Sequence, residues 1–191
     1  AGVGEVEFTA DYVLIGGGGG GASTGGEWNC RGAAGGGAGG YRTSVSGENM
    51  GGGASAESSL TLVTGEDIAV EVGAGGNGSN TIYSRGFNTG GYGNDSIFST
   101  ITAEQGSGGA AGDGGGYAST LSGSAGGRSH FSGGRNTAIV TSPTQGNYSG
   151  YSNTSNIFTC GGGGGAGSAG GNGNGNSASG NGGNGQSSSI T

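Results

Sequence analysis

His130 is the only histidine in the 191-residue chain, so any chemistry that needs an imidazole converges on one position. A Ser-His-Asp arrangement would have to join it to Asp95 or Asp113, and no serine lies in a nucleophile-elbow motif. Glu66 and Asp67 are paired acids, as glycoside hydrolysis requires, but neighbouring acids in a turn-forming stretch are ordinarily solvated. One histidine and two cysteines leave a His/Cys metal site short of ligands. Asp95 and Asp113 sit in glycine-rich loops that could hold calcium, without the Asp-x-Asp-x-Asp spacing of a calcium loop. Gly16 to Gly21 follows an apolar run and formally satisfies Gly-x-Gly-x-x-Gly. A dinucleotide site needs a helix next, with its N-terminus towards the pyrophosphate, and no helix pattern follows. A phosphate-binding Walker loop needs lysine, and the five basic residues are all arginines. The chain therefore reads as a non-enzyme, with no catalytic residues, no cofactor and no metal.

The residues suited to binding are aromatic. Trp28, Tyr41, Tyr92, Tyr117, Tyr148 and Tyr151 lie between glycines or polar residues, outside apolar runs. Tyr and Trp carry large contact area at low entropy cost on loops that Gly, Ser and Asn make adaptable. Three stretches are the candidate binding loops: Glu27 to Arg31 with Trp28 and Arg31, Tyr83 to Asp95 with Tyr83, Phe87 and Tyr92, and Thr141 to Tyr151 with Pro143, Tyr148 and Tyr151. The competing reading places these aromatics at the caps of the fold or between subunits.

Twelve acids and five arginines give a formal net charge of -7. That balance argues against nucleic acid and against an anionic membrane surface. The longest apolar run, Tyr12 to Ile15, is far short of a membrane span. No signal peptide is visible, and the chain starts at Ala1 without Met, which implies processing or truncation. Cys30 and Cys160 allow one intramolecular disulfide, worth roughly 4–5 kcal/mol in the chain-entropy model. The alternative is two separate small hydrophobes.

The elements that must position these residues are short strands and glycine runs. Glu5 to Ile15 alternates, with Val6, Phe8, Ala10, Tyr12 and Leu14 on one face, and predicts a half-buried strand. Ser59 to Val63 and Ile68 to Val72 flank Thr64-Gly65-Glu66-Asp67 and predict a hairpin. Thr81 to Tyr83 is a weak strand signal and Ser96 to Ala103 a stronger one. Ala138 to Val140 and Asn156 to Thr159 are the last apolar runs. Glycine supplies 57 residues, concentrated at Gly16 to Gly21, Gly35 to Gly40, Gly51 to Gly53, Gly106 to Gly116 and Gly161 to Gly165. One proline and no three-residue phase exclude collagen. Runs of glycine make neither good helices nor good strands. Their alternation with apolar punctuation predicts left-handed rods of the polyproline-II type that hydrogen-bond sideways. With only 29% hydrophobic residues, a conventional core is thin, and oligomerisation is the expected supplement.

Tyr12-Val13-Leu14-Ile15 with Gly16 to Gly21, then Gly35 to Arg42, Ile68 to Gly76, Asn94 to Phe98 with Ile101 to Ala103, Gly161 to Gly167 and Gly182 to Thr191 occur in an order that resembles the glycine-rich domain of bacteriophage tail fibres and tail-fibre-tip adhesins. The resemblance covers nearly the whole chain. It implies one domain over residues 1–191: an all-β, small β-sandwich-like scaffold carrying polyglycine II helices, with essentially no α-helix. It further implies an extracellular homo-oligomer on the virion surface, a trimer as tail fibres generally are. Its partner would be a host cell-surface glycan or outer-membrane protein, and the alternative is a structural virion or filament subunit without receptor binding. Members of this type continue past Ser-Ser-Ile-Thr, so the end at Thr191 implies a missing strand or a fragment.

Overall fold

The computed structural model describes residues 4–24, 32–80, 87–111, 122–129, 134–137, 139, 142–153, 159–174 and 178–191. Among them the protein is essentially all-β, with small antiparallel sheets and no α-helix. Strand β1 (Glu7–Ala10) pairs with β5 (Leu60–Val63), β2 (Val13–Ile15) with β4 (Tyr41–Thr43), and β3 (Ser23–Thr24) with β7 (Phe87–Asn88). Strands β6 (Val70–Glu71), β8 (Ser96–Phe98) and β9 (Ile101–Ala103) form a three-stranded sheet in the order β6-β8-β9. A single 3-10 turn spans Gly51–Gly53, where Gly52 and Gly53 adopt left-handed φ values of 77° and 85°.

Three strand expectations are corrected. Glu5 to Ile15 is not one strand: the ladder breaks at Asp11 and Tyr12, because β1 and β2 turn to different partners. Tyr12 is buried, but Phe8 stays 47% exposed, since β1 belongs to a two-stranded ribbon whose buried apolar residue is Leu62. The second correction concerns Ser59 to Val63 and Ile68 to Val72, which do not form a hairpin with each other. Gly65 (φ 87°) turns the chain after β5, which pairs back to β1, while β6 pairs with β8. Lastly, Ser96 to Ala103 is a hairpin and not a single strand. The turn at Ser99 (φ 56°) and Thr100 sets Phe98 opposite Ile101.

The glycine-rich segments are organised by lateral backbone hydrogen bonds that recur every third residue. Segment 16–22 runs antiparallel to 34–40, with Gly16, Gly19 and Ala22 donating to Gly40, Gly37 and Ala34. It runs antiparallel to 90–94 through Gly17 to Asn94 and Gly20 to Gly91. It runs parallel to 73–79, where Gly76 and Ser79 donate to Gly18 and Gly21, and to 104–110, where Gly106 and Gly109 donate to Gly17 and Gly20. With that step of three, every third residue of one segment meets every third residue of its neighbour.

The same bonding places ten described segments in two rows. One row is 73–79, 16–22, 34–40, 160–166 and 178–186, linked by Gly76 to Gly18, Gly16 to Gly40, Ala38 to Gly164 and Gly183 to Gly163. The other is 90–94, 104–110, 122–128, 145–152 and 168–174, linked by Gly93 to Gly106, Ser107 to Ser124, Ala125 to Asn147 and Gly170 to Tyr148. Bonds such as Gly37 to Ser107 and Gly162 to Gly171 cross between the rows. The close spacing dictates glycine: a Cβ on Gly16, Gly17 or Gly39 would overlap the carbonyls of Glu104, Ala74 or Gly16 respectively. The interior is thus largely backbone and small side chains, including Ala103, Ala111, Ala125, Ser107, Ser122 and Ser124. Of the larger buried apolar residues, Tyr12, Tyr41, Met50, Leu62 and Ile101 belong to the part built from β1, β2, β4, β5 and β9, while Ile139 lies outside it.

Candidate functional site

The lateral bonds fix which residues share an end of the array. Gly16, Gly40, Asn94 and Glu104 lie level with one another at the end that continues into β2, β4, β8 and β9. Ala22, Ala34, Gly127, Gly109 and Ser79 mark the opposite end, beside the small β3–β7 pair. The residues flanking 25–31 and 81–86 are at this second end. Trp28, Cys30, Arg31 and Tyr83 themselves lie outside the described residues, as do His130, Asp113 and Tyr117. The Cys30–Cys160 pairing therefore also falls outside them; Cys160 is buried, and its carbonyl accepts from Gly180.

Two of the candidate aromatics are brought together. Tyr148 and Tyr151 are three residues apart on segment 145–152, where their carbonyls accept from Gly170 and Gly173. They are thus one step of the lateral bonding pattern apart. Residues 134–136 run alongside, held by Ser149 N–H to the Asn136 carbonyl (3.1 Å), Ser152 N–H to the Gly134 carbonyl (3.0 Å) and Asn136 N–H to Ser149 Oγ (2.7 Å). Arg135 consequently lies over both rings, its Cζ 4.5 Å from the Tyr148 centroid and 5.2 Å from that of Tyr151. Both distances are within cation–π range, worth about 0.5–1 kcal/mol at an exposed site. Tyr151 remains 48% exposed, and its N–H donates to Asn172 Oδ1 at 2.9 Å.

Arg128 adds a second guanidinium. Its Nη1 donates to the Arg135 carbonyl at 3.5 Å, and its Nε is buried without a hydrogen-bond partner among the described residues. All twelve acids precede residue 114 in the sequence. The Arg128–Arg135–Tyr148–Tyr151 cluster thus joins two guanidinium groups and two aromatic rings from the acid-free last part of the sequence. Arg128 and Arg135 were missed by sequence reasoning. The signal available was the charge asymmetry, with no acid in the last 78 residues of 191.

The other candidates are dispersed. Phe87 lies in β7 opposite Thr24. Tyr92 lies within segment 90–94, between Gly91, which donates to Asn77, and Gly93, which donates to Gly106. Pro143 is two residues before Gln145, which lies at the end that continues into β2, β4, β8 and β9: the Gln145 side chain accepts from the Glu104 N–H (2.8 Å) and donates to the Thr102 carbonyl (3.3 Å). Thr141 to Tyr151 is therefore no single loop, because segment 145–152 is bonded into the array.

A second polar cluster lies among the strands. The Arg42 guanidinium grips the Glu57 carboxylate through Nε (2.9 Å) and Nη2, and Tyr12 Oη donates to the same carboxylate at 2.5 Å. Arg42 Nη1 also donates to the Thr102 carbonyl at 2.9 Å. Burial works against the Glu57 charge, but the hydrogen bonds from Arg42 and Tyr12 outweigh it and hold the carboxyl below its ordinary range. Burial, then the hydrogen bond and charge of Glu57, push the Tyr12 hydroxyl far upward. Each group has its partners, so the cluster fastens β2 and β4 to the 54–59 stretch and offers no idle acid or base. Asp95 is likewise engaged, accepting from the Gln105 N–H at 2.8 Å. Among the described residues no three His, Cys, Asp or Glu side chains gather as a metal site. No helix there is long and apolar enough to cross a membrane.

Compared with known proteins, residues 7–191 match the glycine-rich domain family, and the chain belongs to that family. No curated protein and no solved structure matches it.

Proposed function

We propose that this glycine-rich domain is a non-enzymatic recognition module of a bacteriophage tail fibre, exposed on the virion and holding host cell-surface glycan or outer-membrane protein. The glycine segments are read as polyglycine II rods, a reading supported by their three-residue bonding step. The observation that carries the binding reading is the Tyr148–Arg135–Tyr151 stack, with Tyr151 half exposed and Arg128 adjoining it. Aromatic faces stack on sugar rings, and guanidinium groups grip carboxylates and phosphates. The resemblance to tail-fibre adhesins supplies the biological setting. The lateral bonds would fix the cluster, and Trp28, Arg31 and Tyr83 are read as further contact residues.

The test is retention of bacterial envelope material by the purified domain, compared with a Tyr148→Ala/Tyr151→Ala/Arg135→Ala variant of unchanged circular dichroism. Binding should fall at least tenfold. A variant that folds and binds like the parent refutes the assignment of this cluster. A parent that binds no envelope and forms regular filaments by itself replaces the adhesin reading with that of a structural virion or filament subunit.

A further inference from the structure

The fold meets the hydrogen-bonding needs of its described arginines unequally. Arg42 donates through Nε and Nη2 to Glu57 and through Nη1 to the Thr102 carbonyl, so its charge is answered within the chain. Arg128 and Arg135 have no such answer. Among the described residues the Arg135 guanidinium donates no hydrogen bond and only stacks on the Tyr148 and Tyr151 rings. Arg128 uses Nη1 alone, on the Arg135 carbonyl at 3.5 Å, and its Nε is buried unpaired. The N–H donors of a guanidinium lie in the plane of the group. Stacking engages the face of that plane and leaves the N–H edge open. Two neighbouring guanidinium groups therefore keep their forks unfilled, and a buried donor without an acceptor is destabilising.

The chain does not lack carboxylates; it places them elsewhere. Glu27 and Asp113 lie outside the described residues. The other ten of the twelve acids lie in 5–11, 48–71 and 95–104, the stretches that carry β1, β5, β6, β8 and β9. These stretches are at the end of the array marked by Gly16, Gly40 and Glu104. Arg128 is at the other end: it follows Gly127, and its carbonyl accepts from the Gly161 N–H at 3.1 Å. Gly150 donates to Gly162, one residue further on, which sets Tyr151 at that same end.

We infer that the Arg128–Arg135–Tyr148–Tyr151 cluster takes an anionic sugar, a glycan unit whose carboxylate or phosphate enters the guanidinium forks. This rests on the host-recognition reading above and narrows it to acidic glycans. The oxyanion supplies from outside what Glu57 supplies to Arg42 from inside, in the bidentate geometry that suits a guanidinium. Tyr151, half exposed, gives the sugar ring an aromatic face. The exposed Asn172, whose Oδ1 accepts from the Tyr151 N–H, keeps its NH2 donors for a sugar hydroxyl. An acidic peptide would be better served by an open strand edge, and the Tyr148 and Tyr151 carbonyls are already taken by Gly170 and Gly173.

The experiment measures retention of the purified chain on immobilised polygalacturonate, on the same polymer fully methyl-esterified, and on a phosphomannan. Esterification removes the charge and keeps the rings. At least one acidic polymer should be held about tenfold more tightly than the ester. Raising the salt from about 50 to about 300 mM should weaken that hold severalfold. The acidic polymer held more tightly names the oxyanion, carboxylate or phosphate. Arg135→Gln, with circular dichroism and melting unchanged, should lose the preference for acid over ester. Arg135→Lys, a charge without a fork, should keep part of it. The comparison of acid with ester on the parent needs no variant. Equal retention of acid and ester, an Arg135→Gln variant that prefers the acid as the parent does, or a parent that holds neither acidic polymer overturns the inference. Equal retention of polyglutamate also overturns it, by making this an acidic-peptide site. The host-recognition reading fails separately. Envelope material held equally at low and high salt sinks the anionic-sugar inference alone. Acidic polymers held by a chain that retains no envelope sink the host setting and leave the chemistry of the site standing.

Discussion

Tyr12 donates its hydroxyl to Glu57 Oε2 at 2.5 Å across 45 residues of sequence, and Arg42 donates to the same oxygen through Nε and to Oε1 through Nη2. The side chains of Arg42 and Glu57 are largely buried, so Glu57→Gln leaves a guanidinium without its counter-charge. The expected loss is about 1.5–3 kcal/mol, the range for hydrogen bonds to charged groups. The pH dependence follows from the lowered Glu57 pKa. Its stabilisation is present above the ordinary carboxylate range and is lost as pH falls through the depressed folded value. Urea unfolding at pH 7 and across the acid range checks both statements. A variant as stable as the parent at pH 7 would deny the cluster a structural role.

The two kinds of array glycine should respond oppositely to one methyl group. Gly16→Ala and Gly39→Ala put a Cβ into a neighbouring carbonyl, and the cost should reach about 3 kcal/mol or more, since nearby backbone cannot yield. Gly21→Ala and Gly35→Ala meet open space at unstrained φ. They should be neutral or stabilising by about 0.4–1 kcal/mol through the unfolded chain, when measured on dilute protein. Equal destabilisation by all four would mean that the lateral spacing is not what selects glycine.

This contrast also marks what the sequence makes legible. Apolar runs beside glycine runs are enough to expect short strands and laterally bonded segments without α-helix. The partners of those strands are not legible. Both Leu60–Val63 and Val70–Glu71 alternate correctly for a hairpin, yet alternation states which face is apolar and not which strand lies opposite. Thus β1 claims β5, and β8 claims β6. The Tyr148–Tyr151 pair is readable once a step of three is granted. Arg135 is not, because it reaches the rings from a different stretch, through the bonds of 134–136 to 149–152.

Glu104 presents the opposite sign to Glu57. Burial, reinforced by the nearby Asp95 charge, raises its pKa. The native state therefore binds this proton more tightly than the unfolded chain, and stability declines as pH rises through the raised value. Glu104→Gln removes that burden and keeps the shape. Its melting temperature should exceed that of the parent at pH 8 by up to about 4 °C, and the gap should close near pH 4. A constant gap across that range would assign the effect to packing instead of charge.

Glu48 anchors the last residues of the chain. Its carboxylate accepts from the Ser189 N–H at 2.5 Å and from the Ser188 and Ser189 hydroxyls at 2.9–3.0 Å. Gln186 Nε2 adds a bond to the Asn49 carbonyl at 3.3 Å. The Ser189 N–H, followed by the serine hydroxyls, lowers the Glu48 pKa despite some desolvation. The fastening is therefore complete above the ordinary carboxylate range and is released as pH falls through the lowered value. Glu48→Gln keeps an acceptor but loses the charge that shortens these bonds. Trimming of residues 187–191 by a carboxypeptidase should speed up severalfold in this variant, while global unfolding hardly changes, because opening of a terminus is a local event. In the parent, exchange at the Ser189 amide, corrected for the intrinsic pH dependence of exchange, should lose protection on acidification before the array opens. Equal trimming rates for parent and variant, with Ser189 exchange insensitive to that titration, would show that the terminus is held by something other than Glu48.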